Sequence, residues 1–168
     1  MEKTLSAIKR IENRAKLIPG AISLAQGVPS FVSHPLIQKE VISAIKNNKV
    51  DKYSPISGLL ELRILINEKL VQQGIRYSPE KEIIITAGGI EALSATIIAL
   101  VEVGDEVMFL APGYPYYDRI TRMVKGKSIP VPLCEKDGWS LDLNVLKKRI
   151  THKTKAIILC NPNNPTGS

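Results

Sequence analysis

The sequence predicts an α/β fold built on a mostly parallel sheet. Three observations carry this. Short apolar runs recur through the second half of the chain, at 82–86, 106–110, 127–131 and 155–160. Between them lie segments with helical spacing or helical length, at 89–101, 116–124 and 142–150. Each apolar run also ends in a Gly, Pro or Asn turn signal. Strands alternating with helices at this spacing describe crossover units, whose strands run parallel and whose helices cover the sheet.

The elements follow in order. Leu5, Ile8, Ile11 and Leu17 sit among charges and predict a short helix over 5–17. Residues 21–31, with Gly27, Pro29 and Ser30, read as extended chain and turn. Ile37, Val41 and Ile45 recur every fourth residue and mark one helix face up to Asn48. Leu59, Leu62, Ile66 and Leu70 mark another, with Ser57 or Gly58 as cap. The segment 89–101 is apolar nearly all round, which predicts a helix buried on every side. Ala156 to Leu159 form an unbroken apolar run, which predicts a strand buried on both faces. Gly138 and Trp139 read as a turn before the helix that follows Asp142. Asp118 and Arg119 read as surface charges, and Arg63 as a solvated or salt-bridged one.

Composition narrows the function. A chain of 168 residues with 44% hydrophobic and 23% charged content is long enough for one domain with a real core. The net charge of +7 suits anionic ligands. The basic residues are scattered, however. The two densest runs, Lys147-Lys148-Arg149 and Lys153-Thr154-Lys155, read as a helix end and a strand start, which argues against nucleic acid. The two cysteines, Cys134 and Cys160, and the two histidines, His34 and His152, lack metal-ligand spacing. Reduced thiols, a charged N-terminus and no apolar run long enough for a bilayer predict a cytoplasmic protein with no metal.

Candidate chemistry gathers at the carboxyl ends of the predicted strands, where open α/β sheets bind ligands. Ile83-Ile84-Ile85 runs into Thr86-Ala87-Gly88-Gly89-Ile90. Paired glycines that open a helix let backbone N–H groups approach a phosphate. No G-x-G-x-x-G or P-loop sequence is present. Val107 to Leu110 run into Ala111-Pro112-Gly113-Tyr114-Pro115, where a tyrosine held between prolines suits stacking on a flat ring. The last strand runs into Asn161-Pro162-Asn163-Asn164-Pro165-Thr166-Gly167, where prolines stiffen a loop that aims amides. Taken singly, each of these segments also reads as an ordinary turn. A phosphate cradle, an aromatic plate and a directed amide on one sheet edge together suggest a phosphorylated aromatic cofactor.

Six motifs in order carry a resemblance. They are Ser23 to Pro29; Tyr53-Ser54-Pro55 with Gly58 and Glu61-Leu62-Arg63; Thr86 to Gly89 with Ala92-Leu93; Gly104 to Val107; Pro112 to Pro115 with Tyr117; and Asn161-Pro162 with Asn164 to Gly167. The chain resembles the first part of a fold-type-I pyridoxal-phosphate-dependent aminotransferase of class I/II, the aspartate-aminotransferase-like group. The resemblance implies a three-layer α/β/α large domain, incomplete, over 51–168. An N-terminal arm and a small-domain helix would precede it over 1–50. It implies that Gly88, Gly89 and Ile90 hold the phosphate of pyridoxal 5′-phosphate through backbone N–H groups. Tyr114 would stack on the pyridine, and Asn164 would bind the ring's phenolic oxygen. Gly27 and Asn164 would meet the substrate carboxylate. Tyr53 would reach the phosphate of a partner subunit in a homodimer, and the Ala111-Pro112 and Asn164-Pro165 bonds would be cis. The activity implied is transfer of an amino group from an amino acid to a 2-oxo acid. Ile90 departs from relatives that place a polar side chain there. None of the 16 lysines matches the family's Schiff-base lysine, so the chain is expected to be an N-terminal fragment, inactive alone. A lyase or synthase of the same fold and a non-catalytic truncated chain are the alternatives. Ser6-x-x-Lys9 and Ser43-x-x-Lys46 also fit a serine acyl-enzyme pattern, but its companion motifs are missing.

Overall fold

The computed structural model describes residues 7–25, 27 and 29–168. The chain divides into two compact units, one ending at Tyr53 and one running from Ser54 to Ser168.

The first unit contains α1 (Ala7–Ala15) and α2 (Pro35–Lys46). α2 starts where the sequence supplies a proline in the first turn, and the His34 ring nitrogen accepts the Leu36 N–H at 3.2 Å. Ile37, Val41 and Ile45 form the expected stripe on α2, and all three are exposed. Ser43 accepts a hydrogen bond from Asn47 and shows no bond to Lys46, which leaves the acyl-enzyme pattern without geometric support. Ser6 lies outside the described residues, as do Gln26 and Val28.

The second unit holds α3 (Leu60–Val71), α4 (Gly89–Leu100), β1 (Glu106–Ala111), α5 (Tyr116–Met123), β2 (Lys127–Pro132), α6 (Leu143–Arg149) and β3 (Thr154–Ile158). All three strands are parallel, in the order β2-β1-β3. The step from β1 to β2 and the step from β2 to β3 therefore run in opposite directions across the sheet. Right-handed crossovers then place α5 on one face and α6 on the other, giving the three expected layers.

Alternation along β1 sorts the core. Val107 packs with Ile97 and Val101 at the end of α4 and with Ile120 of α5. Met108 faces the opposite side, where Val131 of β2 is also fully buried. Burying each such side chain stabilises the fold by about 1.5–3 kcal/mol. α6 opens on Asp142, whose carboxylate accepts the N–H groups of Asn144 and Val145 at 2.7 and 3.4 Å. Gly138 and Trp139 form the expected turn, both with positive φ.

The β2 strand has β1 as a neighbour on one flank. Its odd residues face β1, as the bonds from Lys127 N–H to Asp105 and from Leu133 N–H to Ala111 show. Pro130 and Pro132 therefore stand where outward-facing donors would be.

Five expectations are corrected. Residues 83–86 form no strand: among the described residues nothing ladders with them, and their register is held by one bond, Ile85 N–H to Ser57 O at 3.0 Å. Ile83 is buried, but Ile84 is 71% exposed. α4 is not buried all round, because only one stripe meets the sheet and Ile90, Ile98 and Leu100 remain exposed. β3 is half-buried on alternate residues rather than covered on both faces. α3 begins after Leu59 with no side-chain cap, so neither Ser57 nor Gly58 caps it. Arg63 is also not solvated, and its surroundings are described below.

Candidate active site

The strand order leaves a switch point between β1 and β3, where successive connections depart in opposite directions. Ligands of doubly wound sheets bind at such a point, beyond the carboxyl ends of the strands. The loops flanking it are 112–115 after β1 and 159–168 after β3, two of the three segments singled out by sequence.

The loops are joined. Asn163 is buried, and its Nδ2 donates to the Pro112 carbonyl at 3.0 Å and to the Thr166 hydroxyl at 2.9 Å. The Asn163 backbone adds a closed turn, donating to Ser168 O and accepting from Gly167 N–H, both at 2.8 Å. Three peptide bonds here are cis: Ala111-Pro112, Asn161-Pro162 and Asn164-Pro165. The first and third match expectation. Gly113 is required by close approach, since a Cβ there would lie 2.2 Å from the Leu110 carbonyl oxygen.

Tyr114 lies in this loop against an aromatic cluster. Its ring meets Tyr117 edge-on, with centroids 5.7 Å apart, and Tyr117 in turn lies 6.1 Å from Phe109 of β1. These contacts fix the Tyr114 ring plane by packing. Burial, followed by the Cys160 side chain, raises the Tyr117 phenol to about 12. Asn164 differs from its neighbour Asn163. It is exposed, and its amide has no partner among the described residues.

The third segment leads into α4. Gly88 is its N-cap, at φ 112°, a conformation that L side chains rarely adopt. No side chain caps the helix, and the N–H groups of Gly89, Ile90 and Glu91 have no acceptor among the described residues. A Cβ built on Gly88 or Gly89 meets nothing within 4 Å, so the space before the helix is open. Open donors at the positive end of a helix suit an anion. The Glu91 carboxylate turns back to the Ala87 N–H, and the Thr86 hydroxyl donates to the Gly88 carbonyl at 3.0 Å, which shapes the turn. α4 is linked to the aromatic loop by Ser94 Oγ and Tyr116 Oη, 3.4 Å apart.

A separate groove of about 340 Å³ lies on the Met108 side of the strand ends, with Leu110, Leu133, Trp139 and Leu159 among its lining. It contains none of Gly88, Gly89, Ile90, Tyr114 or Asn164. Gly27 and Tyr53 belong to the first unit. Gly27 is exposed, and Tyr53 is fully exposed. Asn163 was not anticipated as a distinct element. The signal for it was the doubled asparagine, of which only one could face outward.

The profile of the family described as aminotransferase class I and II matches residues 19–168. The chain belongs to this family. Its members generally depend on pyridoxal phosphate. The probable aspartate/prephenate aminotransferase of Aquifex aeolicus is 36% identical over 161 residues, covering 95% of this chain and 40% of that protein. The probable N-succinyldiaminopimelate aminotransferase of Mycobacterium tuberculosis is 34% identical over 151 residues, covering 89% and 38%. A solved Pyrococcus structure, protein-A1, superposes with a TM-score of 0.93 at 34% identity over 98% of this chain and 42% of that one. The chain thus has the fold of the pyridoxal-phosphate transferases and spans about two fifths of the length of these aminotransferase relatives. No described helix of this aminotransferase-family chain is long and apolar enough to cross a membrane, and the described residues contain no cluster of three or more His, Cys, Asp or Glu that could hold a metal.

Proposed function

We propose that this chain supplies the cofactor cradle of a pyridoxal-phosphate-dependent aminotransferase that moves an amino group from an amino acid to a 2-oxo acid. The observation that carries this reading is the uncapped start of α4 at Gly88, Gly89 and Ile90; the packed Tyr114 ring and the unpaired Asn164 amide support it. A phosphorylated aromatic group fits these residues: open N–H donors for its phosphate, a packed tyrosine face for its ring and a free amide for its phenolic oxygen.

Pyridoxal phosphate, when bound, supplies the electron sink for amino-group transfer. The chain's own residues hold and orient it. The N–H groups at Gly88, Gly89 and Ile90 bind the phosphate, and because Ile90 brings no polar side chain the backbone alone serves at that position. Tyr114 covers one ring face. Asn164 donates from Nδ2 to the phenolic oxygen and so favours its charged form. The Asn164 amide accommodates the substrate carboxylate. Tyr53 serves the phosphate of a partner subunit in a homodimer, a reading supported by its full exposure. None of the 16 lysines of the chain is assigned the Schiff-base role, so the 168 residues alone are proposed to bind cofactor without completing the transfer.

The test is titration of the chain with pyridoxal 5′-phosphate and with pyridoxal, followed by Trp139 fluorescence. The phosphate ester is expected to bind roughly tenfold or more tightly, the worth of at least one charge-assisted hydrogen bond. Equal affinity for the two would sink the cradle assignment. Expressed as the whole product of its gene, the protein should convert an amino acid and a 2-oxo acid into the exchanged pair. Ammonia release would point instead to elimination chemistry.

A further inference from the structure

We propose that Arg63 is a positioning residue for the phosphate cradle, acting through carbonyls that hold the segment leading to Gly88. This rests on the cradle reading given above and goes beyond it. The segment 83–86 enters the cradle without a sheet ladder, so something else must fix where Gly88 stands. Among the described residues, 57–63 tie this segment from outside, beside the local bonds of Thr86 and Glu91.

Arg63 lies in the first turn of α3 and is 6% exposed. Its Nε donates to the Gly58 carbonyl at 3.2 Å. Its Nη1 donates to the carbonyls of Pro79 and Glu80, the latter at 3.3 Å. Among the described residues no carboxylate lies within ion-pair distance of it. Its buried charge is compensated by carbonyl dipoles, and it binds the two sides of the gap together. Two more ties lie beside it. Ile85 N–H donates to Ser57 O, and the Ile85 side chain packs on Gly58 so closely that a Cβ there would lie 2.5 Å from the Ile85 Cβ. Five residues after Glu80, Ile85 leads through Thr86 and Ala87 into Gly88. A planar guanidinium with several fixed donors can hold three carbonyls at once, whereas an ammonium is a point charge without that fork. Removing it leaves these partly buried carbonyls without that donor and frees the segment to shift.

The test uses the 168-residue chain and reads cofactor affinity with and without the phosphate ester, beside the thermal midpoint. Wild type and Arg63→Lys are titrated with pyridoxal 5′-phosphate, pyridoxal and inorganic phosphate. The expected result is a loss of roughly tenfold or more in affinity for the phosphate ester and for phosphate in Arg63→Lys, with pyridoxal affinity unchanged. A second variant, Gly58→Ala, disturbs the Ile85 contact while keeping Arg63, and is expected to lose the same preference. Arg63→Lys that melts lower yet keeps the wild-type ratio of ester to pyridoxal affinity would overturn the inference, since a merely structural arginine leaves that ratio alone. Should Arg63→Lys fail to fold, a Gly58→Ala chain with the wild-type ratio overturns it equally. A wild-type chain with no preference for the ester would remove the cradle reading itself, and this inference with it.

Discussion

Asn163 Nδ2 donates to the Pro112 carbonyl at 3.0 Å and thereby ties the loop after β3 to the loop after β1 across the switch point of the sheet. The two residues are 51 positions apart in sequence. The bond joins the two loops that carry Tyr114 and Asn164, in addition to the β1–β3 ladder behind them.

Asn163 and Asn164 should therefore separate stability from binding. Asn163→Ala leaves the Pro112 carbonyl without its donor and is expected to lower stability by about 1–3 kcal/mol in denaturant unfolding. Asn164→Ala removes an exposed, unpaired amide and is expected to leave the unfolding midpoint in place while weakening pyridoxal 5′-phosphate binding. The opposite pattern would exchange their assigned roles.

Tyr117 carries a pH dependence on the alkaline side. Burial, and after it the Cys160 side chain, raises its phenol from 10.0 to about 12. The folded state thus prefers the neutral phenol. The stability this contributes is fully present below pH 10 and is lost as pH rises from 10 toward 12. Unfolding free energy should fall over that window in the wild-type chain and fall less steeply in Tyr117→Phe. Identical slopes would show that the phenol ionises as freely in the fold as outside it.

Glu106 carries one on the acid side. It is a buried carboxylate at the start of β1, bonded by the Thr151 hydroxyl at 2.7 Å and the Lys127 ammonium at 3.1 Å. Thr151, then Lys127, holds its pKa below the ordinary 4.5. Its stabilising effect is present above the unfolded value and is lost as pH falls through the folded one. Thr151→Val should raise the Glu106 pKa in an NMR titration, because the larger of the two causes is removed. An unchanged value would assign the shift to Lys127 instead.

Periodicity and turn chemistry made most of this architecture readable. The Ile37-Val41-Ile45 stripe, the Leu59 to Leu70 stripe and the apolar runs at 106 and 127 each became an element within a residue or two of the expected bounds. What stayed hidden depended on neighbours in space. Ile83-Ile84-Ile85 has the composition of a strand, but a strand exists only where a ladder partner lies alongside. A charged Arg63 reads as solvated until the Pro79 and Glu80 carbonyls, 16 and 17 positions on, are known to surround it. Asn163 and Asn164 are the same residue type side by side, and only the path of the loop decides which one turns inward. The turns at Gly88-Gly89 and at Pro112 to Pro115 were legible because each depends on local backbone chemistry, whereas the cis bonds before Pro112 and Pro165 followed from the resemblance alone.

The prolines of β2 give this sheet a direction of growth. An incoming strand laid against the outer flank of β2 would seek amide hydrogens at 130 and 132 and find pyrrolidine rings instead. β3 contains no proline, so its outer flank keeps every donor. Further strands, whether from the same polypeptide or from a stray neighbour, can zip on beside β3 but not beside β2. The chain thus has one adhesive border and one inert border, a polarity written by two imino acids.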